Sequence, residues 1–304
     1  MKAVVMDSYG PPEVLRVADL PEPEAGGGQV RVRIRAAGLN PIDARIRRGE
    51  FDSVFDISFP RQLGNEFAGV VDQVGPGVNR FAPGDEVIGF ADMAAHAEWV
   101  VVPAGNLTAK PAELPWETAA VVSAVGQAAF NALRTLGVAA GETVLIHGAA
   151  GGVGSVAVQS AGARGATVIG TASEGNHDYV RSLGGIPVAY GAGLEERVRE
   201  LAPQGVDASM DLTGSDEAVI ASIAVTRDRS RIVTLVSPPL AERHGIAMMY
   251  GSRAAETVAR VADLVARGDL RLPLARRFSL EEAAEGHRLL EAGGLRGKLV
   301  LVPG

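Results

Sequence analysis

Thr143-Val-Leu-Ile-His147, followed directly by Gly148-Ala-Ala-Gly-Gly-Val-Gly154, is the stretch on which the fold of this chain turns. A short apolar run leads into a glycine-rich turn, and Ser155-Val-Ala-Val-Gln-Ser-Ala161 then opens a helical pattern. Strand, glycine turn and helix N-terminus form the context a dinucleotide site requires. Amides at a helix N-terminus carry partial positive charge, and glycines let a pyrophosphate approach the backbone. Ala149, Gly151, Gly152, Val153 and Gly154 are therefore the predicted cofactor-binding turn, with Ala149 standing where GxGxxG has its first glycine. The alternative is a purely structural strand-to-helix turn.

Downstream, Thr167-Val-Ile-Gly-Thr-Ala-Ser173 reads as the next strand. An NAD site places an acid near the end of that strand, on the ribose hydroxyls. Ala172 fills the position here, so no carboxylate repels a 2′-phosphate and Ser173 can donate to one. Glu174 follows in the loop as a competitor, with Asn176, His177 and Arg181 as the neutral or basic groups nearby. The pattern favours NADPH over NADH; the alternative is that Asn176 and His177 are only a helix cap and its first turn. Further strands at Ala208 to Asp211 and Arg231 to Val236, a helix at 178–183 and another at 254–267, give the alternation of a parallel sheet wound on both faces.

Upstream, Lys2 to Met6, Val30 to Ala36, Phe67 to Val74, Glu86 to Phe90 and Trp99 to Val102 are short β-type runs between Pro and Gly clusters. Their spacing predicts a barrel-like β unit. The texture changes near Pro115, where Trp116 to Leu136 has helical spacing. The chain closes with a helical segment, Leu280 to Glu291, and the strand Lys298-Leu-Val-Leu-Val302.

Composition narrows the chemistry. The chain has 304 residues, enough for two domains, and no cysteine, which excludes disulfides, thiolate zinc sites, iron–sulfur clusters and thiol catalysis. Five scattered histidines contain no HExxH, so no metal is expected. A net charge of −7 and the absence of a long Lys/Arg run argue against a nucleic-acid partner. The uncharged stretch 143–163 has the length of a membrane span, but its glycines, His147 and Gln159 mark a strand, turn and helix instead. The apolar run at the N-terminus is too short for a signal-peptide core, and the expected location is the cytoplasm.

With TVLIHGAAGGVG placed, the sequence resembles the medium-chain dehydrogenase/reductase superfamily, in particular its zinc-independent quinone oxidoreductase branch. MKAVVMDSYGPPEVL, VRVRIRAAGLNPIDARIRRG, LGNEFAGVVDQVGPGVNRFAPGDEVIGF and EEAAEGHRLLEAGGLRGKLVLV carry the resemblance beyond the turn. It implies a GroES-like β-barrel catalytic domain, residues 1–119 and 270–304, and a Rossmann domain, residues 120–269, that binds the cofactor. It also implies a homodimer joined through the Rossmann domain, with Arg231 to Val236 near the interface. In zinc alcohol dehydrogenases the segments matching Gly38-Leu-Asn40 and Gly64-Asn65-Glu66 hold a cysteine and a histidine ligand; here Asn40 and Asn65 stand there. The four-cysteine structural lobe expected after Gly89 is replaced by ADMAAHAEW. A tyrosine often found two residues after the aspartate of NxxD is Arg45, and a threonine common before the glycine turn is Ala128. Tyr190 matches a family position against the adenosine 2′-phosphate, and Lys298 one near the cofactor, with a surface lysine as its alternative.

Without a Lewis acid, an enone or quinone is an easier hydride acceptor than a simple ketone, because charge spreads onto an enolate or hydroquinone oxygen that neutral donors can stabilise. Asn40 and Asp43 are the predicted catalytic pair. Asn40 would hold the nicotinamide ribose or the substrate carbonyl, or else only form the turn before Pro41. Asp43 would orient Asn40 or bond the cofactor, or else cap the helix that starts there. Arg45 and Arg48 are either attractors of an anionic substrate or a solvated helix face; Tyr250 is either a site residue or an ordinary strand residue; His147 reads as a packed turn residue. The function expected is NADPH-dependent reduction of quinones or α,β-unsaturated carbonyls. The alternatives are an enoyl reductase tailoring a secondary metabolite and a non-catalytic NADPH-binding redox sensor.

Overall fold

The computed structural model describes residues 1–52, 57–249 and 251–304. Two compact units emerge: Met1–Ala124 with Arg253–Asp269 and Pro273–Gly304, and Val125–Ser252 with Leu270–Leu272. The segment Arg253–Asp269 thus belongs to the first unit, which corrects the expected boundary at 269. The reason is packing. Its helix, Ala255–Ala266, buries Ala255, Val258, Val261 and Ala262, and lies against the first unit's strands Glu86–Phe90 and Leu107–Ala109.

The first unit is built on Gln29–Leu39, where valine and isoleucine alternate with arginine so that Val30, Val32 and Ile34 face inward. Its last four residues, Ala36 to Leu39, are all buried. Sheet order runs Leu274–Ser279, Lys298–Val302, Gln29–Leu39, Glu66–Val74, Glu86–Phe90 and Leu107–Ala109, with Trp99–Pro103 also pairing to Gln29–Leu39. A smaller sheet orders Leu15–Asp19, Lys2–Met6 and Arg61–Gln62. One core cluster joins Val4, Met6, Leu39, Ile46, Phe278 and Leu301, so residues from both ends of the chain share it.

In the second unit six parallel strands run Ile186–Ala189, Thr167–Ala172, Thr143–His147, Ala208–Asp211, Ile232–Thr234 and Ala247–Met248 in spatial order. The chain starts in the middle and winds outward both ways, as in a Rossmann sheet. Ile232–Thr234 lies inside the sheet, paired on both sides, and the two edge strands are Ile186–Ala189 and Ala247–Met248. Among the described residues no helix is long and apolar enough to cross a membrane.

Candidate functional site

Each unit carries part of the chemistry. In the first, three strands deliver charged or polar ends to one place. Leu299 is paired with Leu39, which sets Lys298 beside Asn40, and Phe67 is paired with Ala37, which sets Glu66 beside Gly38. Gly38 is needed there, because a Cβ at that position would come within 2.3 Å of Glu66 Oε1. The opening lets the Glu66 carboxylate accept from Asn40 Nδ2 at 2.9 Å and from Lys298 Nζ at 3.0 Å, while its other oxygen accepts the Ala124 amide at 2.6 Å. Lys298 Nζ also donates to Asn40 Oδ1. Glu66 is wholly buried, and Lys298 and Asn40 are each 4% exposed, so the surface-lysine alternative fails.

These charges fix which way the Asn40 amide points. Its oxygen faces an ammonium and its nitrogen faces a carboxylate, so the flipped amide would put like against like. One Nδ2–H goes to Glu66, and the amide carries a second.

Asn40 sits in extended conformation (φ −126°, ψ 154°) as the N-cap of helix Pro41–Arg47, whose first residue has the fixed φ that suits a helix start. Asp43 caps the helix through the Asn40 backbone amide. Its Oδ2 accepts the Asn40 amide at 2.8 Å; its Oδ1 accepts Asn65 Nδ2 at 2.8 Å and the Gly64 amide at 3.2 Å. Burial pushes its carboxyl upward, while His96, the Asn40 amide, Asn65 and Lys298 pull it down. Arg45 is paired with Glu50 and lies 4.9 Å from the Phe51 ring, and Arg48 pairs with Glu50 and Glu291, so both are tied to neighbouring side chains. Tyr250 lies outside the described residues.

In the second unit the turn after Thr143–His147 begins with Gly148 at φ +78°, a region that favours glycine. Helix Gly152–Gly162 follows, its N-cap Gly151 giving no side-chain capping bond. The first-turn amides of Gly152, Val153 and Gly154 have no acceptor within the helix. A Cβ at Gly154 would stand 2.2 Å from the Gly148 oxygen and 2.8 Å from Ala149 Cα. The turn therefore closes directly on the helix, leaving an uncapped N-terminus that suits a pyrophosphate. The Ala149 side chain is buried, where a Cβ on Gly170 would meet it at 2.6 Å.

At the same end of the sheet Ala172 is paired with Ala189, so Ser173 and Tyr190 leave adjacent strands side by side. Tyr190 is 59% exposed. Arg197 braces the loop that presents it, donating to the carbonyls of Ala189, Gly191 and Ala192. Ser173 Oγ accepts from Asn176 Nδ2 at 3.1 Å, and His177 opens helix His177–Ser182. The structure thus groups Ser173 and Tyr190 in one unit and Asn40, Asp43 and Lys298 in the other.

Two buried histidines shape the acid limb of stability. Burial holds His147 down to about 4, against an upward pull from Asp211. Burial, then the neighbouring His96, Arg47 and Arg48, hold His287 down to about 2. An unfolded imidazole takes up its proton near 6.5, so below that pH the unfolded state binds more protons and stability falls. Calorimetry should show a stability plateau above about pH 7 and a decline between pH 6.5 and 4, each histidine contributing up to about 1.4 kcal/mol per pH unit. His287→Leu should flatten the slope; an unchanged slope contradicts the assignment.

A barrel-like β unit and a parallel-sheet unit with a glycine turn together define a nucleotide-dependent dehydrogenase or reductase. Family models agree with that class: residues 26–112 match "Alcohol dehydrogenase GroES-like domain" and residues 188–301 match "Zinc-binding dehydrogenase". A Pseudomonas aeruginosa quinone oxidoreductase is 33% identical, with 99% of each chain covered. The solved quinone oxidoreductase of Coxiella burnetii superposes with a TM-score of 0.90 at 34% identity, over 99% of each chain. That of Escherichia coli, solved with NADPH, gives 0.88 at 25% identity over all of both. Longer relatives also match: the chain spans 14% of the Streptomyces orinoci spectinabilin polyketide synthase protein NorB, 37% identical over 92% of this chain. The chain belongs to the quinone oxidoreductase branch of the medium-chain dehydrogenase/reductase superfamily, a branch of oxidoreductases.

Glu66 is the site residue that sequence reading passed over. Its signal was a carboxylate opening the apolar strand Glu66–Val74, just as Lys298 opens Lys298–Val302. Buried strands rarely begin with opposite charges unless the two meet.

Proposed function

We propose that the chain reduces quinones or α,β-unsaturated carbonyl compounds with NADPH and without a metal ion. The observation that carries this reading is the state of Asn40 and Asn65. Both stand where zinc relatives place ligands, both give their amide nitrogens to carboxylates, and the Asn40 oxygen faces the Lys298 ammonium. With no cysteine in the chain and a cation already at Asn40, these residues do not fit a zinc ion.

NADPH, when bound, supplies the hydride. The protein's own contributions are positional and electrostatic. Amides of Gly152, Val153 and Gly154 would hold the pyrophosphate, with Ala149 and Gly151 shaping the turn, and Ser173, His177 and Tyr190 would receive the 2′-phosphate. In the first unit the second Nδ2–H of Asn40 donates to the oxygen that becomes an enolate or hydroquinone anion. Asp43 holds the Asn40 backbone in place, and Lys298 and Glu66 hold its side chain. Lys298 adds positive charge for the cofactor or the developing anion, and water completes protonation.

NorB, a polyketide synthase protein, favours a second reading of the same chemistry, enoyl reduction on a larger substrate in secondary metabolism. A panel of 2-cyclohexenone, an ortho-quinone, a para-quinone and a crotonyl thioester separates the readings, and NADPH binding without turnover of any would favour the redox-sensor alternative.

Cofactor choice has its own test. Ala172→Asp restores the acid of an NAD site and should lower kcat/KM for NADPH about tenfold to a hundredfold relative to NADH. An unchanged ratio removes the argument from Ala172 and Ser173. For partners we propose a second copy of this chain joined through the second unit, one of whose two sheet edges is Ala247–Met248. Sedimentation at micromolar concentration decides it, and a monomer contradicts it.

A further inference from the structure

At the carboxyl end of the second unit's sheet four neighbouring strands carry a polar row. Thr171 pairs with His147, His147 with Asp211, and Asp211 with Thr234. All four are buried, none more than 2% exposed. Residues in register project to the same face, so the row is continuous across the four strands.

Its members are linked sideways. Thr234 Oγ1 donates to Asp211 Oδ2 at 2.7 Å, His147 Nε2 lies 3.0 Å from Ser222 Oγ on helix Asp216–Val225, and His147 Nδ1 makes a longer contact, 3.5 Å, with Thr171 Oγ1. They also hold the loops that leave the sheet. Thr171 Oγ1 accepts the Gly148 amide at 3.1 Å, Asp211 Oδ1 those of Thr213 at 2.8 Å and Gly214 at 3.1 Å, and Thr234 Oγ1 that of Val236 at 3.2 Å. Apolar residues would fill this layer without the desolvation penalty of buried polar groups.

We propose that this row is a positioning device for the nicotinamide nucleotide, pinning the loops after three adjacent strands, with His147 as a positioning residue that acts through Thr171 on Gly148. The inference rests on reading the second unit as the nucleotide-binding unit. Hydrogen-bond directions give the route. Thr171 Oγ1 accepts from Gly148, and in the proposed arrangement its single proton goes to His147 Nδ1. The imidazole is then the Nε2–H tautomer and donates to Ser222. Burial keeps His147 unprotonated at neutral pH, which keeps Nδ1 an acceptor. The chain of bonds therefore aims the lone pairs of Thr171 at Gly148, the positive-φ residue that begins the pyrophosphate turn.

The test compares His147→Asn, His147→Gln, His147→Leu and Thr171→Val in the full chain, with NADPH affinity by fluorescence titration and amide exchange at Gly148 by NMR in cofactor-free protein. The Asn oxygen falls near Nδ1 and keeps the bond to Thr171; the Gln amide reaches toward Ser222 and loses it. H147N should bind NADPH within about threefold of the unmodified chain, whereas H147Q, H147L and T171V should bind about tenfold more weakly and exchange Gly148 correspondingly faster. The kcat at saturating NADPH should stay within about twofold, and H147L/T171V should bind no more weakly than T171V alone. Thermal midpoints of the cofactor-free proteins show whether each variant is folded. Equal affinity and equal exchange in all variants, or additive losses in the double variant, overturn the proposal. If the unmodified chain binds neither NADPH nor NADH, the proposed function fails, while the Gly148 exchange rates still decide whether the row pins the turn.

Discussion

Lys298→Met should lower kcat for enone reduction about a hundredfold and destabilise the first unit by about 3–5 kcal/mol. Both losses come from the same change. Removing the ammonium leaves the wholly buried Glu66 carboxylate with only the Asn40 amide and the Ala124 backbone as partners, an uncompensated charge in a low-dielectric setting. It also removes the cation that faces the Asn40 oxygen, so the amide is held from one side only, by Glu66, and its second N–H is less firmly aimed. The two effects are separable. In Lys298→Met combined with Glu66→Leu no buried charge remains, so chemical denaturation should show most of the stability restored while kcat stays low. A single variant with unchanged kcat would show that the Asn40, Glu66 and Lys298 cluster serves the fold alone.

Gly154→Ala should weaken NADPH binding more than a hundredfold, a loss of about 2.7 kcal/mol or more. Its added methyl would stand 2.2 Å from the Gly148 carbonyl oxygen and 2.8 Å from Ala149 Cα. Both are backbone atoms, which cannot swing aside as a flexible side chain can, so the turn must move away from the helix that presents its amides. Gly162→Ala, in the last turn of the same helix, meets nothing within 4 Å and is the matched control. Titration of both variants should show the loss in the first only, and equal affinities would detach the glycine turn from cofactor binding.

The sequence made local features legible and left distant ones hidden. Lys2–Met6, Glu86–Phe90, Thr143–His147 and Lys298–Val302 were readable to the residue because each is a largely apolar run between turn signals. Leu274–Ser279 was not: as an edge strand it keeps four consecutive exposed residues, including two arginines, and so lacks the apolar signal. Helix Asp216–Val225 was missed too, since apolar residues surround its axis and no single face stands out.

Asn40 and Asp43 could be read together because they lie in one turn, three residues apart. Glu66 and Lys298 meet across 232 residues of sequence, and only the order of the strands around Gln29–Leu39 brings them together. Gly38 is the residue whose meaning changed most. In the sequence it stands just past the run Val30 to Ala36, in the segment Gly38-Leu-Asn40; in the fold it is the opening through which a buried carboxylate reaches Asn40.

The most direct measurement is NADPH oxidation by the chelator-treated protein, followed by absorbance with 2-cyclohexenone and an ortho-quinone as acceptors and repeated after adding zinc. The expected result is turnover with at least one acceptor, faster with NADPH than with NADH, at a rate that neither chelator nor zinc changes. Activity that appears only on adding zinc, or no turnover despite tight NADPH binding, would contradict the account.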